Sequence, residues 1–322
     1  MQAVQVRQTG GPEELHWVET PDPTLTASSL LVDVAAAGVN FIDTYQRTGL
    51  YQVPLPFVPG LEGAGTVKAV GDEVEGFAVG DQVAWADVPG SYAPQVCVPA
   101  SRAVPVPTGV ALETAAALML QGLTAHYLAR STHRLEHGDR CLVHAGAGGV
   151  GLLLIQIARR AGAEVFTTVG SAEKGELARA AGADHVIRYR EEDFAEAVER
   201  IAGPNALDVV YDGVGRTTFQ GGLRVLRPRG LMVSFGNASG AVEPLSPLAL
   251  SAAGSLYLTR PTLGHYIATT QELRARAEEL FGWVVDGALD VRIGCRLPLA
   301  QAEQAHRLLE GRQTSGKVLL LP

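Results

Sequence analysis

Residues 144–151 read HAGAGGVG, with glycines at positions 146, 148 and 151. This G-x-G-x-x-G spacing, set after a strand and before a helix, is a phosphate cradle for a dinucleotide: Gly146 permits a tight turn, Gly148 lets backbone N–H groups approach a pyrophosphate, and Gly151 permits close helix packing. Gly149 and Val150 complete the loop, and the anion sits at the positive end of a helix that begins near Val150. The bland alternative is a glycine-rich turn without a ligand, which the flanking strand and helix argue against. A NAD-type site places Asp or Glu at the end of the second strand, about 20 residues further on, to hold the ribose hydroxyls. The chain reads EVFTTVGSAEK there, so the strand ends on Gly170 and Ser171, Lys174 follows within one helical turn, and Glu173 lies beyond the strand end. A hydroxyl and an ammonium suit a 2'-phosphate, and NADPH is expected rather than NADH. Lys174 stands out because the only other lysines are Lys68 and Lys317. Tyr189, in HVIRYREED, either closes over the same ribose phosphate or packs.

These residues need a scaffold, and the pattern after Gly138 supplies it. RCLVHA, EVFTTVG, DHVIRY, LDVVYDG and GLMVSFGN are candidate strands, and LLLIQIARRAG, EKGELARAAGA, EDFAEAVERIAG and TTFQGGLRVLRP are the helices between them. Nearly continuous apolar strands joined by helices predict a doubly wound α/β domain with a parallel sheet covered on both faces. The first third reads differently. AVQV, LLVDVAAAGV, GLEGAGTVKAV, GDQVAWA and SYAPQVCVPA are short β segments punctuated by Gly and Pro, the pattern of a twisted, partly barrel-like antiparallel unit. Helix begins near Thr108 with ETAAALMLQGLTAHYLAR, and helix with short strands returns from about His265. The closing SGKVLLLP is expected to rejoin the first domain.

Composition sets the outer limits. A chain of 322 residues predicts two domains. It lacks the uninterrupted apolar run of roughly 18 residues that a membrane span requires, and the start MQAVQVRQTGG has no secretory pattern, so a soluble cytoplasmic protein is expected. The net charge of -8, with no basic block, argues against a nucleic-acid partner. Cys97, Cys141 and Cys295 are widely separated and suggest neither a disulfide framework nor a thiolate metal site.

The blocks GDRCLVHAGAGGVGLLLIQIAR, VNFIDTYQRTGLY, PGLEGAGTVKAVGDEVEGFAVGDQVAW, VIRYREEDF, VVYDGVG, GLMVSFGNASGAV and GSLYLTRPTL run from end to end in a fixed order. Together they resemble the zinc-independent quinone oxidoreductases, the zeta-crystallin branch of the medium-chain dehydrogenase/reductase superfamily. Gly146 departs from the resemblance, since alanine is common there. The likeness implies a Rossmann-type NADPH-binding domain over residues 126–264 and a GroES-like, mainly β catalytic domain over 1–125 and 265–322. The superfamily's zinc alcohol dehydrogenases carry a Gly-His-Glu run whose histidine ligates the metal. This chain reads Gly60, Leu61, Glu62 there, has no cysteine in residues 38–43, and has no four-cysteine lobe after GDQVAW, so no catalytic metal is expected.

NADPH-dependent quinone reduction is what the resemblance implies, and a quinone is a good electron acceptor that needs mainly positioning. The likeness places Asn40, Tyr45 and Tyr51 near the nicotinamide. Asn40 would orient the carboxamide or the acceptor oxygen, and each tyrosine would either donate a hydrogen bond or wall an apolar pocket. Asp43 reads as a helix cap. Gln121 falls at the nicotinamide ribose. Gly213, Val214 and Gly215, and Phe235, Gly236, Asn237 and Ala238, lie at strand C-terminal ends where cofactors bind in such sheets. Arg260 reaches the pocket or a phosphate, or is a surface residue. Residues 254–261 read as an exposed sheet edge able to pair with its copy in a homodimer. The competing readings are an enal or enone reductase on the same scaffold and a non-enzymatic NADPH-binding protein.

Overall fold

The computed structural model describes all residues 1–322 and divides into two units: Met1–Leu123 with Tyr266–Pro322, and Thr124–His265.

In the second unit six parallel strands form one sheet. They are Arg140–Val143, Glu164–Val169, His185–Arg188, Leu207–Asp212, Leu226–Ser234 and Tyr257–Thr259. Numbered within this unit, their spatial order is 3-2-1-4-5-6, the arrangement of a Rossmann fold. Each central strand is buried on both faces, which is why RCLV and LDVVYD read as apolar runs rather than alternations. The helix Gly149–Arg160 buries Leu152, Leu153, Leu154, Ile155 and Ile157, and ends on Arg159 and Arg160, whose charge suits a helix C-terminus. One expected helix is shorter than its sequence suggests. TTFQGGLRVLRP is helical over Phe219–Val225 only, and Leu226 already begins the fifth strand. Pro228 accounts for this, because its ring cannot continue a helix. The sixth strand pairs only with the fifth and so forms the sheet edge.

In the first unit the sheet runs in the order Ile293–Pro298, Lys317–Leu321, Ser29–Val39, Glu62–Val70, Gln82–Ala86, Val104–Pro105, with Gln95–Pro99 also paired to Ser29–Val39. Lys317–Leu321 lies antiparallel to Ser29–Val39, with Val318 opposite Val39 and Leu320 opposite Ala37. Thus the last strand does rejoin the unit in which the chain begins. Its core gathers Leu30, Val32, Val67, Trp85, Tyr92 and Val98, and Trp85 donates its indole N–H to Ser91 Oγ at 2.9 Å. No helix in the structure is long and apolar enough to cross a membrane.

Candidate functional site

The glycine loop follows the first Rossmann strand, and the helix beyond it starts at Gly149 with Gly148 as N-cap. The N–H groups of Gly149, Val150 and Gly151 begin the helix and therefore have no helical acceptor, which leaves them for an anion. One role differs from expectation. The left-handed residue of the turn is Ala145 (φ 56°), not Gly146. Gly146 is needed for another reason: a Cβ there would collide with Thr167 Oγ1, which donates to Val143 O at 2.7 Å. The threonine on the neighbouring strand explains why this chain carries glycine where alanine is common in the resembling loop. Gly151 also sits in a close approach, since a Cβ would meet Gly146 Cα at 2.8 Å.

At the end of the second strand, Ser171 caps the helix Ala172–Ala181, its Oγ accepting from Lys174 N at 3.3 Å. Lys174 is half-buried on the first turn of that helix. The Tyr189 hydroxyl lies 2.7 Å from where a Cβ on Gly170 would be. The phenol therefore lies across the strand end, and a side chain at position 170 would have to displace it. Gly170, Ser171, Lys174 and Tyr189 thus form one corner with a hydroxyl, a phenol, an ammonium and a helix N-terminus, all suited to a phosphate.

Two further loops are cross-tied. Asp212, fully buried at the end of the fourth strand, accepts from Val214 N (2.7 Å), Gly215 N (2.9 Å) and Thr218 Oγ1 (2.9 Å). Phe235 N bonds to Asp212 O (2.8 Å) and Ala238 N to Gly213 O (3.2 Å), so the loops after the fourth and fifth strands hold each other. Arg260 completes the arrangement. Its Nη1 donates to Ser234 O (2.7 Å) and Gly236 O (3.3 Å), and Asn237 turns its amide oxygen to Arg260 Nη2 at 3.0 Å. His144 is buried before the glycine loop, edge-on to Phe194, with Nδ1 against Thr168 Oγ1 at 3.0 Å. Burial lowers its pKa and keeps it neutral near pH 7.

In the first unit Asn40 is the N-cap of the helix Phe41–Arg47, and Asp43 Oδ2 accepts from Asn40 N at 2.8 Å, which is the cap expected of Asp43. Tyr45 and Tyr51 meet edge to face, with ring centroids 5.3 Å apart, and Tyr51 N bonds to Tyr45 O at 3.0 Å. Tyr45 is buried and Tyr51 exposed. Asn40 is more committed than its sequence position suggests. Its Nδ2 donates to Glu62 Oε1 (2.6 Å) and Gly38 O (3.4 Å), and its Oδ1 accepts from Lys317 Nζ (2.8 Å). These bonds use both hydrogens of Nδ2 and one lone pair of Oδ1, and the capping box sets the same side chain against the Asp43 backbone N–H. Gln121 is buried in the helix Leu112–Tyr127, directly after Leu120, whose N–H donates to Glu62 Oε2 at 2.6 Å.

A second chain of polar groups runs from Asp43. Tyr92 OH donates to Asp43 Oδ2 (3.0 Å) and lies 3.1 Å from His306 Nε2, while Arg47 Nη1 faces His306 Nδ1 at 3.1 Å and Arg47 Nη2 pairs with Glu310 at 2.7 Å. Arginine only donates, so His306 accepts at Nδ1 and carries its proton on Nε2. Burial, reinforced by Arg47, brings His306 down to about 3. Burial also raises Asp43 to about 7, outweighing the Asn40 N–H, Lys317 and Tyr92, which act to lower it. Raised above its unfolded value of 3.8, Asp43 binds more protons folded than unfolded, so its contribution to stability falls as pH climbs from about 4 to about 7. Depressed His306 acts in the opposite sense. Asp43→Asn removes the first effect and retains the second. The variant is expected to gain on the wild type by on the order of 2 kcal/mol between about pH 5 and about pH 8, read from thermal melts at both values. A pH-independent difference would contradict the assignment.

Sequence reasoning missed Glu62, Lys317, Tyr92 and His306. A signal existed for the first two: a carboxylate in GLEGAG and a lysine in SGKVLLLP each sit in a run of small or apolar residues, where a charge must find a partner.

An alcohol dehydrogenase GroES-like domain model matches residues 26–108, and a zinc-binding dehydrogenase model matches 149–283. A quinone oxidoreductase of Pseudomonas aeruginosa is 45% identical over 99% of both chains. The chain belongs to the zinc-independent quinone oxidoreductases of the medium-chain dehydrogenase/reductase superfamily. Within that family, the crystal structure of Escherichia coli quinone oxidoreductase complexed with NADPH superposes with a TM-score of 0.98 at 43% identity, covering 100% of both chains. A 2-haloacrylate reductase from Burkholderia is 40% identical over 99% of this chain and 98% of its own. The zinc in the second model's name has no ligand set here, because no three His, Cys, Asp or Glu side chains converge, and Leu61 stands buried beside Glu62.

Proposed function

We propose that this chain reduces quinones with NADPH and without a catalytic metal. The observation that carries the reading is the corner at Gly170, where the strand ends on Gly170 and Ser171 instead of a ribose-binding carboxylate and Lys174 stands on the first turn of the next helix, in a chain of the quinone oxidoreductase family. In this reading the N–H groups of Gly149, Val150 and Gly151 hold the pyrophosphate, while Ser171, Lys174 and Tyr189 hold the 2'-phosphate. The loops at Gly213–Gly215 and Phe235–Ala238, braced by Arg260, wall the cofactor. Asn40, Tyr45, Tyr51 and Gln121 orient the nicotinamide and the acceptor. The cofactor, when bound, supplies the reducing equivalents. The protein positions the acceptor, excludes water and offers phenol donors to the oxygens on which charge develops.

The test is NADPH oxidation followed by absorbance with 1,4-benzoquinone, with a 2-enal in parallel and NADH as control. Fast turnover with NADPH and the quinone, unaffected by a metal chelator, is the expected result. The likeness to a 2-haloacrylate reductase favours one second reading, reduction of an activated alkene, and preference for the 2-enal would select it.

The reading includes a homodimer formed through the sheet edge Tyr257–Thr259. Support comes from its exposed apolar side chains, with Tyr257 61% and Leu258 39% accessible. A monomeric mass in solution would remove it. A cytoplasmic location belongs to the same proposal, supported by three cysteines that form no disulfide.

A further inference from the structure

Three segments remote in sequence converge on the carboxylate of Glu62. Glu62 Oε1 accepts from Asn40 Nδ2 at 2.6 Å and from Lys317 Nζ, and Glu62 Oε2 accepts from Leu120 N at 2.6 Å. Lys317 Nζ also donates to Asn40 Oδ1 at 2.8 Å. Glu62 is 0%, Lys317 1% and Asn40 5% accessible. Gly38 makes room for the pair, because a Cβ there would lie 2.5 Å from Lys317 Cε.

A buried ion pair adds little stability over apolar side chains of the same size. What it adds is direction: three donors and two carboxylate oxygens in one arrangement, with no water to blur it. The two neighbours so arranged are the carboxamide of Asn40 and the helical turn that carries Gln121. A single carboxylate therefore holds one side chain assigned to the nicotinamide, Asn40, and the backbone beside another, Gln121. The N–H it takes from Leu120 lies inside a helix, where the helical ladder ordinarily uses such donors.

We propose that Glu62 and Lys317 are positioning residues for the nicotinamide half of the cofactor, acting through Asn40 and the Leu120–Gln121 turn. This rests on the proposed function for the identity of the ligand. By holding both amide atoms of Asn40, the pair fixes the orientation of its carboxamide. It touches no reacting atom itself.

The experiment compares the wild type with the charge-neutral double variant Glu62→Gln/Lys317→Met, and with Glu62→Asp, which keeps the charge but withdraws the oxygens. Each is titrated with NADPH and with 2'-phospho-ADP-ribose, the same cofactor without its nicotinamide, and assayed with 1,4-benzoquinone. The expected result is an NADPH Kd raised about tenfold and a kcat lowered at least about tenfold in the double variant, with 2'-phospho-ADP-ribose unchanged within about twofold. Glu62→Asp should give the same split at smaller size. No change in either ligand, or equal weakening of both, would overturn the proposal. Absence of quinone turnover in the wild type would overturn the proposed activity, while the split between the two ligands would still decide the positioning role.

Discussion

Lys174→Glu raises the Kd for NADPH by about 100-fold and leaves that for NADH within about threefold, as measured by fluorescence titration. A charge-assisted contact to a phosphate is worth about 1.5–3 kcal/mol, and a carboxylate in its place adds repulsion. The effect is selective because Lys174 stands on the first turn of the helix capped by Ser171, beside the strand end where Tyr189 crosses Gly170, away from the loop assigned to the pyrophosphate. An equal loss for both cofactors would mean that the corner holds no 2'-phosphate. A loss of less than about threefold for NADPH would place the phosphate elsewhere.

Lys317→Met destabilises the first unit by about 3–5 kcal/mol, because it leaves the Glu62 carboxylate buried without its cation. All three tryptophans, Trp17, Trp85 and Trp283, belong to this unit, so a fluorescence melt reads it alone. The transition is expected to fall by about 10 °C, at a few degrees per kcal/mol. Adding Glu62→Gln removes the uncompensated charge and should restore most of the loss. A single variant as stable as the wild type would show that the carboxylate finds another partner or a proton.

The α/β unit was legible because its strands are apolar runs separated by helical patterns, and its glycine loop carries a spacing tied to one geometry. The corner at Gly170 was legible for a different reason, since the absence of a carboxylate at a strand end can be read directly. What could not be read was pairing between remote residues. Thr167 decides that position 146 is glycine, and nothing in HAGAGGVG points to it. Asn40 was visible as a candidate, but its occupation by residues 22 and 277 positions away was not. The early end of the helix at Val225 could have been taken from Pro228. Tyr92 and His306 gave no local sign, because a tyrosine and a histidine in ordinary surroundings satisfy many environments equally.

The pairing of Lys317–Leu321 with Ser29–Val39 also has a consequence for biosynthesis. During translation the strand that carries Lys317 emerges after every residue it must join, so the first unit cannot close its sheet while the Rossmann segment is being made. Thr124–His265, continuous in the chain, can fold earlier and alone. Until the late strand arrives, Glu62 lacks its cation and either stays hydrated or takes up a proton. The ion pair therefore forms only when the last strand is in register.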